Sequence, residues 1–99
     1  MKPVEQLEVV SPEHWKLIGD LTFQTVTPIL KKVSLLYKNN SPETISLEQV
    51  SRTDSAGLAL LVEIMRLTVQ RHRVVHLINP PFQLLQIAQA VGLADIFTT

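Results

Sequence analysis

Asp54 and Ser55 are the residues of this chain best placed to do chemistry. They stand in the run Ser51-Arg52-Thr53-Asp54-Ser55-Ala56-Gly57-Leu58-Ala59-Leu60-Leu61, where a short apolar strand gives way to a long apolar-periodic stretch. A carboxylate or hydroxyl at such a junction accepts hydrogen bonds from the first helical N–H groups, which have no intrahelical acceptor. The same junction is the positive end of the helix dipole, so a phosphoryl group added to a hydroxyl there is electrostatically favoured. The pair therefore describes a helix cap, a switchable partner-binding corner, or both. Phosphorylation of Ser55 would add roughly −1.5 to −2 charges. Asp54 opposes that charge, while Arg52 and the helix N-terminus offset it. Inside a close-packed interface the added bulk and desolvation break the contact, so the expected device is an off-switch and not a catalytic step.

Other chemistries lack their parts. Gly19, Gly57 and Gly92 are the only glycines, too few and too scattered for a phosphate-binding or dinucleotide-binding loop. His14, His72 and His76 have no metal-ligand spacing, and there is no cysteine for a zinc or disulfide site. Glu43, Glu48, Asp54 and Glu63 do not pair as catalytic carboxylates. The expectation is no catalytic residue, no metal and no cofactor, hence not an enzyme. Nine Lys and Arg balance nine Asp and Glu, which argues against a nucleic-acid partner and against a basic anchor for an anionic membrane. No apolar run approaches the roughly 20 residues that span a bilayer, so direct membrane insertion is not expected. Met1 to Val10 carries Glu5 and Glu8 and lacks the apolar core of a signal peptide, so the chain reads as cytoplasmic.

The elements that position the corner can be read from periodicity. Ninety-nine residues make a single domain, 1–99, and an apolar fraction of 45% with 5% aromatics predicts an aliphatic core. Leu7 to Val10 predicts a first strand, Ser11-Pro12-Glu13 a turn, and Trp15, Leu17 and Leu21 a second strand that pairs as a hairpin. Thr22, Thr25 and Thr27 are possible caps for a helix that holds Pro28 in its first turn and buries Val26, Ile29, Val33 and Leu36. Asn39-Asn40-Ser41-Pro42 stops it. Thr44 to Val50 predicts a third strand burying Ile45, Leu47 and Val50, and Ser55 to His72 a second helix with Leu58, Leu61, Val62, Met65 and Val69 as its core stripe. Val74 to Ile78 predicts a fourth, central parallel strand. A third helix follows over Phe82 to Val91, with Gly92 as its terminator. Leu93 to Phe97 supplies a last short strand or turn. Strands alternating with helices imply an α/β fold: a small mixed, mostly parallel sheet with about three helices on one face.

The second helix carries another apolar strip, Ala56, Leu60, Ile64 and Leu67. It is either packing against a neighbouring helix or a partner surface. Leu60 and Leu67 are the better surface candidates, Leu30 and Leu35 of the first helix can extend it, and Glu63 and Arg66 supply a polar rim. Arg66, Arg71, His72 and Arg73 form a basic cluster toward the helix end, where cations complement the dipole.

The third strand followed by Asp54-Ser55-Ala56-Gly57-Leu58 resembles the signature of STAS domains, the family that includes anti-sigma factor antagonists. Gly19-Asp20-Leu21 and Gly92-Leu93 match that family's pattern elsewhere, so the resemblance covers nearly the whole chain. It implies the same small sheet with helices mainly on one face, and Ser55 at the family's phosphorylation position. Ser51-Arg52, Gly57-Leu58-Ala59-Leu60-Leu61 and Pro28 resemble the MlaB-like group, the STAS subunits of an ABC transporter for outer-membrane lipid asymmetry. That resemblance implies a cytoplasmic accessory subunit, peripheral to the inner membrane, that binds the transporter's ATPase subunit alongside its permease. Taken with the corner and the second apolar strip, the candidate partner-facing residues are Arg52, Thr53, Asp54, Ser55, Ala56, Leu60, Glu63, Leu67 and Leu30. MlaB-like members often carry threonine at the position of Ser55. Serine is nearer the antagonist pattern, in which the partner is an anti-sigma factor kinase.

Overall fold

The computed structural model describes residues 6–98. The segment Met1–Glu5, where part of the reading of the N-terminus falls, and Thr99 lie outside the described residues. The chain runs β1 (Leu7–Ser11), β2 (His14–Leu21), α1 (Val26–Leu36), β3 (Thr44–Thr53), α2 (Ser55–Gln70), β4 (His76–Ile78), α3 (Phe82–Ala90), a 3-10 turn (Ala94–Ile96) and β5 (Phe97–Thr98). The sheet order is β1-β2-β3-β4-β5. The β1–β2 hairpin is antiparallel and every other pairing is parallel. This is the small mixed, mostly parallel sheet with three α-helices that the sequence predicts.

Alternation decides which face of the sheet is covered. Leu7, Trp15, Leu17, Ile45, Leu47 and Leu77 are buried, and the paired register sets Leu7 beside Leu17, Trp15 beside Ile45 and Ile45 beside Leu77. They join Ile29 and Val33 of α1, Leu58, Leu61 and Ile64 of α2, and Leu84 and Ala88 of α3 in one core cluster. Trp15 meets Tyr37 edge to face at 5.5 Å between ring centroids. Thr68 donates its hydroxyl to the Ile64 carbonyl at 2.8 Å, so Tyr37 is the donor in its own 2.7 Å bond to Thr68. Burial raises the Tyr37 hydroxyl above its usual pKa, against the opposing effects of Thr68 and Arg71.

The structure corrects several sequence expectations. The third strand runs on to Thr53, three residues past Val50, because bulges against β2 let Val50 and then Thr53 turn inward. The fourth strand is confined to His76–Ile78, and Val74 is 70% exposed. α1 ends at Leu36, ahead of the Asn39-Asn40 stop, and Tyr37, the C-cap, is buried because it continues the helix face of Ile29 and Val33, donating its N–H to the Val33 carbonyl at 2.9 Å.

The largest correction concerns the rotation of α2. Val62 and Val69, expected in the core, are exposed, and Met65 is only partly buried; Gly57, Leu60, Ile64 and Thr68 take the inward positions beside Leu58 and Leu61. Gly57 supplies the reason. A Cβ there would lie 2.5 Å from Thr53 Oγ1 and closer still to the Leu21 carbonyl oxygen. The helix therefore makes its nearest approach to the sheet at Gly57, and residues at helical spacing from it, Leu61, Ile64 and Thr68, must follow it inward.

Candidate functional site

The chain makes its corner where β3 becomes α2. Asp54, extended at φ −137°, is the N-cap: its Oδ1 accepts the N–H groups of Ala56 at 2.9 Å and Gly57 at 3.3 Å. Its Oδ2 accepts the Phe23 N–H at 3.1 Å from the loop between β2 and α1. One carboxylate thus fixes the helix start and a loop 31 residues away in sequence. The Phe23 N–H holds the Asp54 carboxyl below the ordinary carboxylate range, against partial desolvation, with the Ala56 and Gly57 N–H groups adding to the effect.

Neighbouring strand ends are tied in as well. Arg52 donates its backbone N–H to Asp20 Oδ1 at 3.3 Å, and Thr53 donates its own to Gln83 Oε1 of α3 at 3.1 Å. Thr25, expected as a cap for α1, stands at the N-cap without capping through its side chain; its hydroxyl donates to the Asp20 carbonyl at 2.7 Å and so shapes the same loop. Asp20, Thr22, Phe23, Gln24, Arg52 and Asp54 line a depression of about 320 Å³ beside the corner.

Ser55 is the first residue of α2, and it is exposed. Its hydroxyl makes no hydrogen bond among the described residues, because Asp54 already occupies the Ala56 and Gly57 N–H groups. The capping chemistry therefore belongs to Asp54, and Ser55 is left as an accessible hydroxyl at the positive end of a 16-residue helix.

The other candidates divide by burial. Arg52 is exposed, and Ala56, Glu63, Leu67 and Leu30 are partly buried. Thr53 is 3% exposed, so its side chain supports the corner from below and presents nothing to a partner. Leu60 is 3% exposed and Ile64 fully buried, which places the middle of the second apolar strip in the core. What stays open there is a shallow seam between α1 and α2, where Leu30, Ala56 and Glu63 are part of the lining. Arg66 does not join the basic end of α2: its Nε donates to Glu63 Oε2 at 2.9 Å and its Nη2 to Glu63 Oε1. Among the described residues no cluster of His, Asp or Glu is arranged to hold a metal ion. No helix among them is long and apolar enough to cross a membrane.

Three residues of the corner were missed in the sequence reading. Phe23, in the loop between β2 and α1, is 81% exposed, Phe82, the first residue of α3, is 74% exposed, and Gln83 links Thr53 to α3. A lone aromatic between Thr22 and Gln24, outside any apolar period, was the available signal for Phe23. Gln83 had none, since its partner is 30 residues away in sequence.

A family model described as MlaB, STAS domain, matches residues 10–98. The chain belongs to the STAS-domain family, in its MlaB division. It is 32% identical over 83 residues to the intermembrane phospholipid transport system binding protein MlaB of Haemophilus influenzae, a match spanning 80% of this chain and 79% of that protein. Among solved structures it is similar to the anti-sigma factor antagonist SpoIIAA in its unphosphorylated form, with a TM-score of 0.75 and 29% identity over 94% of this chain and 84% of that one. The phosphorylated form of SpoIIAA, a Bacillus cell fate determinant, matches with a TM-score of 0.69 and 29% identity over 94% of this chain and 87% of the other.

Proposed function

We propose that this chain is a non-catalytic accessory subunit of an MlaB-like phospholipid ABC transporter, one that binds and supports the ATPase subunit and so serves outer-membrane lipid asymmetry. The observation that carries this reading is the 32% identity to the Haemophilus phospholipid-transport protein, in a match that spans four-fifths of both chains. On this reading the docking face is the Asp54–Ser55 corner with Arg52, continued along the α1–α2 seam by Leu30, Ala56 and Glu63, with Leu67 at its far edge. Thr53 and Leu60 support it from beneath. The subunit works in the cytoplasm, peripheral to the inner membrane through the complex that also contains the permease, and needs no cofactor. Ser55 is its switch: a phosphoryl group there, beside the Asp54 carboxylate, adds like charge and bulk where the partner must approach.

A second reading is an anti-sigma factor antagonist switched by a partner kinase at Ser55. The likeness to both forms of SpoIIAA and the serine at the switch position favour it. One experiment separates the two. Tagged wild type and Ser55→Asp are recovered from the native host and their partners identified by mass spectrometry. An ABC ATPase and permease with wild type, lost with Ser55→Asp, is the expected result. A histidine-kinase-like ATPase or a sigma-factor regulator establishes the antagonist reading instead. Full partner retention by Ser55→Asp removes the switch.

A further inference from the structure

The outward side of α1 combines an apolar trough with charge of one sign. Thr27, Leu30, Lys31, Ser34, Leu35 and Lys38 line a depression of about 630 Å³. Thr27, Leu30, Lys31, Ser34 and Leu35 follow one side of α1, about 12 Å long at about 1.5 Å per residue, and Lys38 lies in the turn just past the helix end. Leu35 is 63% exposed there. Thr27 and Leu30 also line the α1–α2 seam, a second depression of about 200 Å³ that reaches Ala56, Ala59 and Glu63. The two depressions adjoin at Thr27 and Leu30, and the second reaches Ala56, the residue after Ser55.

The charge of the trough is lopsided. Residues 21–42 contain three lysines and no aspartate or glutamate, although the chain as a whole is neutral. Lys32 turns away to donate to the Leu7 carbonyl at 3.0 Å. Lys31 and Lys38 are exposed on the trough's rim and form no ion pair among the described residues. Glu63, the one acid on the seam, is neutralised by Arg66.

We propose that this trough cradles an amphipathic helix of the partner whose apolar face meets Leu30 and Leu35 and whose acidic flank meets Lys31 and Lys38. In helix-in-groove docking an amphipathic helix lays its own apolar stripe on an apolar surface, and the surface offered here is Leu30 and Leu35 between Lys31 and Lys38. A second copy of this chain fits poorly, because a two-fold contact on this face sets Lys31 and Lys38 against their own equivalents. A membrane surface fits poorly too, since polybasic recognition uses clusters of about 4–8 Lys or Arg. The inference rests on the partner-docking reading above and adds the chemistry of the docked element.

The test uses the full chain and the host's detergent-solubilised ATPase–permease assembly lacking this subunit, with binding kinetics followed across a salt series. Lys31→Glu with Lys38→Glu is expected to slow association about tenfold at low salt and to flatten its salt dependence. Leu35→Asp is expected to weaken binding about tenfold or more. Both variants keep the wild-type melting temperature, because all three side chains are exposed. A photo-crosslinker at position 35 should capture a peptide with acidic residues at helical spacing. If these variants bind like wild type while Ser55→Asp does not, the trough inference falls and the corner reading stands. Crosslinking to a second copy, or to lipid, overturns it. Failure of wild type to bind the assembly removes the docking reading and this inference with it.

Discussion

The two ends of α2 are built on different principles. At the N-terminal end the backbone is held from outside: Asp54 binds a distant loop, Gln83 reaches in from α3, and Gly57 lies against Leu21 and Thr53. At the C-terminal end the helix closes on itself. The His72 and Arg73 N–H groups donate to the Val69 and Thr68 carbonyls, a Schellman closure in which His72 takes a φ of 58°. The long-range ties there are made by side chains: the Tyr37 hydroxyl donates to Thr68 Oγ1 at 2.7 Å, and Arg71 lies 5.9 Å above the Tyr37 ring. The N-terminal end has its backbone N–H groups and the neighbouring loop held by tertiary bonds, whereas the last carbonyls of the C-terminal end are closed by local ones. α3 shows the same local closure with Gly92 at φ 75°, where no Cβ is strained.

Substitutions at and between these ends test the comparison. The largest loss is expected at Leu60, just inside the clamped end. Leu60→Asp buries an unpaired carboxylate and should cost about 4 kcal/mol or leave the chain unfolded, measured by urea denaturation. A small loss would mean that the strip is surface after all. Gly57→Ala should cost about 3 kcal/mol, because the methyl group meets backbone that cannot yield. The same substitution at Gly92, where an added Cβ meets nothing within 4 Å, should cost less, from the positive φ alone.

Asp54→Asn should lower the melting temperature by about 5 °C at neutral pH. Its signature is the pH dependence. The folded pKa is depressed below the ordinary value of an aspartate, so the stabilisation is fully present above the unfolded pKa and is lost as pH falls through the folded one. The gap between wild type and Asn should therefore be constant above about pH 5 and close in more acidic solution. A gap independent of pH would show that shape and not charge holds the corner.

At the other end, His72→Gly should stabilise by about 0.5–1 kcal/mol, since glycine adopts positive φ without the Cβ penalty. The smallest effect on stability is expected at Ser55. Ser55→Asp adds a carboxylate at a helix N-terminus and should be neutral or stabilising by about 0.5 kcal/mol, while partner affinity falls. A loss of stability comparable with that of Gly57→Ala would assign Ser55 to the structure of the corner and not to its surface.

Much of the fold was legible because local rules and tertiary demands agree. The hairpin, the order of strands and helices, the third-helix stop at Gly92 and the buried pairs Trp15–Leu17 and Ile45–Leu47 follow from alternation and breakers. The Asp54-Ser55 junction was legible as a place, since an acid and a hydroxyl ahead of an apolar helix have few other roles. Which of the two caps was not legible. Either side chain can accept the helix N–H groups, and the choice depends on Phe23 offering Asp54 a further donor from across the fold.

The sequence by itself determined that this is an α/β chain with an aliphatic core and a polar junction at the start of its longest helix, because periodicity and capping are properties of neighbours along the chain. The tertiary structure alone decided which side of that helix is core. α2 is apolar on more than half its circumference, so the hydrophobic pattern permits several rotations. A single missing Cβ, at Gly57 against Leu21 and Thr53, selects one of them. The same choice buries Leu60 and turns Val62 outward. Ser55, two residues before Gly57, is left exposed at the helix start where a partner can reach it.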